Sequence, residues 1–249
     1  MSDLLARART PELSGGQMLL IPVGSTEQHG PHLPLGMDTV IAQAVTHRAA
    51  GVMKEGGLDV LVAPALAYGA SGEHQHFAGT ISIGRDGLHL VLVELVRSAV
   101  SWAGRCVFVN GHGGNVPAVV AAVCQLRVEG HDVAWAGCVP SPLADGAAID
   151  SHAGRVETSL ALALAPEDVR LEKAEPGALE PLPALLGRMR MDGVASVSPN
   201  GVLGDPAGAS APEGRELLSA MVTDVVSSVQ AWAPDGQGRL RPGRSRVVA

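Results

Sequence analysis

Four short apolar runs, 18–23, 59–63, 106–109 and 132–138, punctuate the first part of the chain, and longer stretches of helical spacing separate them. This alternation constrains the fold more than any other feature. Each run is brief, nearly continuous in Val, Leu, Ile or Ala, and bounded by turn formers, as strands buried on both faces of a parallel sheet are. The intervening stretches read as helices. Asp38 or Thr39 caps one that carries Ile41, Val45, Ala49 and Val52 on one side. Others span 86–103, 116–128 and 156–165, and a last amphipathic helix spans 213–232. The expectation is a single-domain α/β layered fold, a mostly parallel central sheet flanked by helices. Residues 166–200, rich in Pro, Gly and charge, lose the periodicity; they read as an excursion with a short helix at 183–190, covering the site or a subunit contact.

With 46% apolar and 17% charged residues in 249, one core is the default. It is assigned to 1–232, and 233–249, with Arg239, Arg241, Arg244 and Arg246 among Gly, Pro and Ser, reads as a solvated tail. A net charge of -7 argues against nucleic acid and anionic membranes as partners. No uninterrupted apolar run is long enough for a membrane span, and no basic-then-apolar leader opens the sequence. Cys106, Cys124 and Cys138 are odd in number and lie in apolar stretches, which suits free thiols in a reducing compartment. A cytoplasmic location is expected.

Chemistry concentrates after the strands. "EQHGPHLPLGMD", 27–38, follows the first; "NGHGGN", 110–115, follows the third; "DSHAGRVETS", 150–159, follows the fourth. In an open α/β sheet such loops converge on one crevice. Glu27 and His29, two apart, share a face of an extended segment. Asp38 sits at a helix start with two oxygens free to bridge, and the glycines around His112 leave its imidazole exposed. Glu27, Asp38 and Glu157 bring three negative charges and His29 and His112 two neutral nitrogens. Two divalent cations would leave the cluster near +1, which favours bound hydroxide over water. Nitrogen and oxygen donors without thiolate suit Zn, Fe(II) or Mn. An isolated histidine is more often a hydrogen-bonded structural group; five such residues after three strands are harder to explain that way. His32 reads as a residue that orients a ligand. Glu73 and His74, in "GEHQHFAGTISIG", read as lining the substrate crevice, with structural or subunit contacts the alternative, and His74 with His76 also resembles a metal pair.

"PVGSTEQHGPHLPLGMD", "FAGTISI", "VNGHGGN", "HAGRVETS" and "GVLGDP", in this order from 22 to 206, resemble the successive signatures of the creatininase family of metal-dependent amidohydrolases. The resemblance implies an α/β fold, a dinuclear metal site and a homo-oligomer, often a hexamer. It implies Glu27 and His112 on one metal, His29 on the other, Asp38 as the bridge, and His152 as the proton-transfer residue. Creatinine-hydrolysing members carry a glutamate at the position of Gly114, so here Glu157 is the replacement. That departure and the few aromatics weigh against creatinine. Within the family, "GSTEQHGPHLPL", "SGEHQHFAGTISIG" and "GVLGDP" look most similar to members that trim a short, modified, ribosomally made peptide. The alternatives are an amidohydrolase of cyclic amides or formamidopyrimidines and, in another class, a non-catalytic metal-binding scaffold.

Overall fold

The computed structural model describes residues 4–139 and 150–242. Its centre is a four-stranded, wholly parallel sheet in the order β2-β1-β3-β4, with β1 at Met18–Val23, β2 at Val60–Val62, β3 at Arg105–Asn110 and β4 at Val133–Gly137. Six helices accompany it: α1 Met37–Glu55, α2 Gly84–Ala99, α3 Val116–Val128, α4 Arg155–Leu164, α5 Leu182–Asp192 and α6 Ala211–Ala231. Among the described residues, no helix is long and apolar enough to cross a membrane.

Strand alternation sorts the core into two layers. Leu20, Val107, Val109, Ala134 and Ala136 point to one face and pack with α1, α4 and α6. Leu19, Ile21, Cys106, Phe108 and Trp135 point to the other and pack with α2 and α3. Both faces are covered, which is why the runs are apolar without alternation. A third small cluster, Ala178, Leu185, Val194 and Leu203, holds the excursion after α4, where the expected short helix is α5.

The sheet order places the site. From β1 the chain passes through α1 to β2 on one side, whereas β3 continues through α3 to β4 on the other. The connections therefore diverge at the carboxyl ends of β1 and β3, the crevice where open parallel sheets bind ligands. Val23 and Asn110 end those strands in register with one another.

Most element ends shift by one or two residues from the sequence reading, and two differ by more. The helix expected over 86–103 is α2, which ends at Ala99, and Trp102 and Ala103 turn back on the Ala99 carbonyl. The chain from 233 to 242, expected as part of a solvated tail, is packed. Trp135 N–H donates to Gly238 O (3.0 Å) and Leu240 N–H to Trp135 O (2.8 Å), so this segment supplies partners to the free edge of β4. Arg239 stacks over the Trp135 ring at 5.0 Å, and Leu240 is buried. Arg244 and Arg246 lie outside the described residues.

Candidate metal centre and active site

Three loops and one helix start bring the sequence-predicted residues together. Glu27 and His29 come from the loop after β1, Asp38 from the first turn of α1, His112 from the loop after β3, and His152 and Glu157 from the entry to α4. Asn115 ties the loops together: its Oδ1 accepts from Ala70 N–H at 2.8 Å, and its Nδ2 donates to Gly24 O at 2.9 Å and Asn110 Oδ1 at 3.2 Å. Ala153, between His152 and α4, takes a left-handed φ of 52°, a strained conformation held in part by its N–H bond to Glu157 Oε2 at 2.6 Å.

Two ligand-like groups share Asp38. Glu27, Asp38 and His112 form one, and His29, Asp38 and Glu157 the other; in each, one donor atom per residue lies within 4.8 Å of the rest. Asp38 Oδ1 is 3.5 Å from His29 Nε2, and Oδ2 is 3.3 Å from His112 Nδ1. His112 Nε2 lies 3.2 Å from Glu27 Oε2, and His29 Nε2 3.9 Å from Glu157 Oε2. Ligands bonded at 2.0–2.2 Å to a tetrahedral ion are separated by about 3.4 Å, which the Asp38–His29 spacing matches, whereas His112 offers Nδ1 to Asp38 and Nε2 to Glu27, and only one of the two can bind an ion shared by all three.

Hydrogen bonding leads to the same fit. Glu27 Oε1, His29 Nε2, Asp38 Oδ2 and His112 Nε2 are buried with no hydrogen-bond partner, although buried polar atoms are nearly always paired. The outer contacts present these atoms inward. His29 Nδ1 donates to the Glu27 carbonyl at 3.0 Å, which turns Nε2 toward the cluster, and Ser25 Oγ donates to Glu27 Oε2 at 2.8 Å while also hydrogen-bonded to Ser71. The donor set thus fits divalent cations.

Left to protons alone, the cluster is electrostatically strained. Burial lifts Glu27 and Glu157 above the usual carboxylate range. Burial also works against charge on His29, but Asp38, Glu157 and Glu27 outweigh it and push its pKa up to about 10. Asp38 feels the same burial, which His29 and His112 overcome, leaving it below its ordinary value. His152 goes the other way: burial, with His29 beside it, brings its pKa down to about 4, so it is an unprotonated base at neutral pH.

The remaining candidates fall near this centre. His74 is buried with Nε2 3.2 Å from Glu27 Oε1, and its ring stands 4.5 Å from that of His152. Glu73 lines the adjoining cavity with Oε1 3.8 Å from His112 Nε2. His32 bonds through Nε2 to Thr158 Oγ1 at 2.9 Å, so it supports the residue after Glu157 rather than bonding a ligand candidate directly. His76 lines the cavity wall and joins none of the ligand-like groups among the described residues. Ser25, Ser71, Gln28 and Asn115 escaped the sequence reading. Neutral polar residues carry no periodicity or charge signal, and only the proximity of Ser25 and Gln28 to Glu27 hinted at a role.

Gly114 has a physical reason. A Cβ there would collide with His112 Nε2, Glu73 Oε1 and the Ala70 carbonyl, so no side chain fits at this position as the loop stands.

The cavity over the cluster measures about 940 Å³. Its floor is Glu27, Asp38, His112, His152 and Glu157; one wall is Leu182, Leu186, Met189 and Met191 of α5 and its end, and Arg85 and Arg190 add positive charge. Among the described residues, its only rings besides Pro117 are imidazoles.

Comparison with known proteins identifies the family. A family model described as creatininase, creatinine amidohydrolase, matches residues 6–229. The mycofactocin precursor peptide peptidase of Mycobacterium tuberculosis (strain ATCC 25618 / H37Rv) is 53% identical over 227 residues, covering 89% of this chain and 88% of that protein. The creatinine amidohydrolase of Pseudomonas putida is 28% identical over 249 residues, covering 89% and 92%. A solved manganese creatininase superposes with a TM-score of 0.76 at 27% identity, covering 93% of this chain and 98% of its own. Signatures, topology and family match coincide over nearly the whole length, and the chain belongs to the creatininase family of hydrolases that act on C–N bonds.

Proposed function

We propose that the protein hydrolyses an amide bond near the C-terminus of the modified mycofactocin precursor peptide, releasing the dipeptide of Val and decarboxylated Tyr. The observation that carries this reading is the cavity. At about 940 Å³ with an apolar wall from α5, it exceeds what a single small ring fills and suits aliphatic and aromatic side chains of a peptide. The 53% identity to a peptidase named for that precursor supports the same substrate class.

Glu27, Asp38 and His112 would hold one divalent cation and His29, Asp38 and Glu157 a second, with Zn, Fe(II) and Mn the ions this donor set suits. When bound, such a pair polarises a carbonyl and lowers the pKa of water toward neutrality. The chain's own residues do the rest. His152, unprotonated and with Nδ1 3.8 Å from both Glu27 Oε1 and Glu157 Oε2, takes a proton from the attacking water and returns it to the leaving amine. The α5 wall orients the side chains flanking the scissile bond and excludes water from around it. No serine or cysteine nucleophile is required. The protein works as a homo-oligomer in the cytoplasm, where Cys106, Cys124 and Cys138 remain free thiols.

Incubation of the metal-loaded protein with the modified precursor, with creatinine and with a formamidopyrimidine, read by mass spectrometry, tests the assignment. Loss of the dipeptide mass from the precursor alone is expected. Turnover of creatinine with an intact precursor would replace this reading with a small-molecule amidohydrolase, and no turnover of any would favour a scaffold.

A further inference from the structure

We infer that Gln28 fixes the Nε2–H tautomer on two neighbouring imidazoles, leaving His152 Nδ1 as the bare proton acceptor and making His74 Nε2–H a hydrogen-bond donor to the substrate carbonyl. This deepens the hydrolytic reading above and rests on it.

The argument begins with the orientation of one buried amide. Gly30 N–H lies 2.9 Å from one terminal atom of Gln28 and can only donate, so that atom is Oε1. Gly201 O lies 3.0 Å from the other and can only accept, so that atom is Nε2. One Nε2 hydrogen goes to Gly201, and the second meets His74 Nδ1 at 2.8 Å, a nitrogen that must therefore be unprotonated. The proton of a neutral imidazole then sits on His74 Nε2, 3.2 Å from Glu27 Oε1 at the margin of the cavity.

His152 is held in the same tautomer by the backbone of the same residue, but turns its bare nitrogen to the cluster. Its Nε2 lies 2.8 Å from the backbone carbonyl of Gln28, which can only accept, so Nε2 carries the proton and Nδ1 is bare. The Gln28 amide nitrogen is also 3.1 Å from His152 Nε2, but both its hydrogens are already directed elsewhere. One glutamine thus presents a base and a donor from rings 4.5 Å apart.

The pair serves amide hydrolysis in a balanced sequence. The water oxygen bonds to the carbonyl carbon while one of its protons passes to His152 Nδ1. The charge that develops on the carbonyl oxygen is met by His74 Nε2–H, as oxyanion donors do elsewhere. The C–N bond then breaks, the proton on His152 moves to the amine, and the carboxyl product keeps the second water proton until solvent takes it. Gln28 is the positioning residue.

Neutron diffraction from deuterium-exchanged crystals of the zinc-loaded protein tests the tautomers without reference to any substrate. Deuterium is expected on Nε2 of both histidines and on neither Nδ1; deuterium on His74 Nδ1, or none on His74 Nε2, would overturn the inference. Kinetics supply the second arm. Gln28→Glu puts an acceptor against His74 Nδ1 and forces the proton onto it, so kcat on the precursor peptide should fall about 100-fold, as for loss of one oxyanion donor. Metal content should be unchanged and KM should move by less than about twofold. His74→Ala should show the same fall, and the double variant should lose no more than either single. Wild-type kcat in Gln28→Glu would refute the role. A wild-type protein with the expected deuterium pattern that leaves the precursor uncut would instead put the fault in the substrate assignment.

Discussion

Asp38 Oδ2 stands 3.3 Å from His112 Nδ1, yet that oxygen is buried and has no hydrogen bond. Its other oxygen faces His29 Nε2 across 3.5 Å on the opposite side. A carboxylate placed between two imidazoles in this way can bridge cations, the role proposed for it. Asp38→Ala should lower bound metal by more than about tenfold and take hydrolysis with it, since loss of even an outer support costs about 10–100-fold in metal affinity. Inductively coupled plasma mass spectrometry on the dialysed variant checks this; full metal content would refute the bridging role.

His152 should separate from the ligands in the same measurements. His152→Ala is expected to keep its metal and lose about 10²–10⁴-fold in kcat, the usual contribution of one acid-base group. Metal loss in step with activity would make it a ligand, as its grouping with Glu27 and His29 also allows geometrically.

Much of this site was legible because its residues carry charge or an imidazole and follow strands whose ends the apolar runs marked. β1 and α3 coincide with the sequence reading because turn formers bound the first and Pro117 sits at the second position of the other. His32 was legible as a buried-site histidine but not its partner, since Thr158 comes from α4, far along the chain. Gln28 was opaque for a similar reason: its role depends on Gly201, whose carbonyl reaches it from 173 residues away. The packed stretch around Leu240 was hidden because arginine, glycine and proline read as solvated unless the stacking of Arg239 on Trp135 is known.

Gly114 is expected to tolerate nothing larger. Its Cβ would strike His112 Nε2, Glu73 Oε1 and backbone, so Gly114→Ala should displace the His112 imidazole. A fall in metal affinity of about tenfold or more, read by competition with a chromophoric chelator, is predicted with little change in secondary structure by circular dichroism. Unchanged affinity would show that the loop yields.

The thiols give a prediction with a definite pH dependence. Burial pushes both Cys106 and Cys138 up to about 12, so at pH 8 only about one part in 10⁴ of each is thiolate, rising tenfold per pH unit. Iodoacetamide at pH 8 should leave both unlabelled in the native protein and label them after denaturation, as peptide mapping would show. Rapid native labelling of Cys106 would contradict its burial, and rapid labelling of the half-buried Cys138 would contradict its raised pKa.

The most direct test is anomalous diffraction from metal-loaded crystals at the absorption edge of the bound ion. Two peaks are predicted, one among Glu27, Asp38 and His112 and the other among His29, Asp38 and Glu157, with Asp38 between them. A single peak, or peaks away from Asp38, would contradict the account.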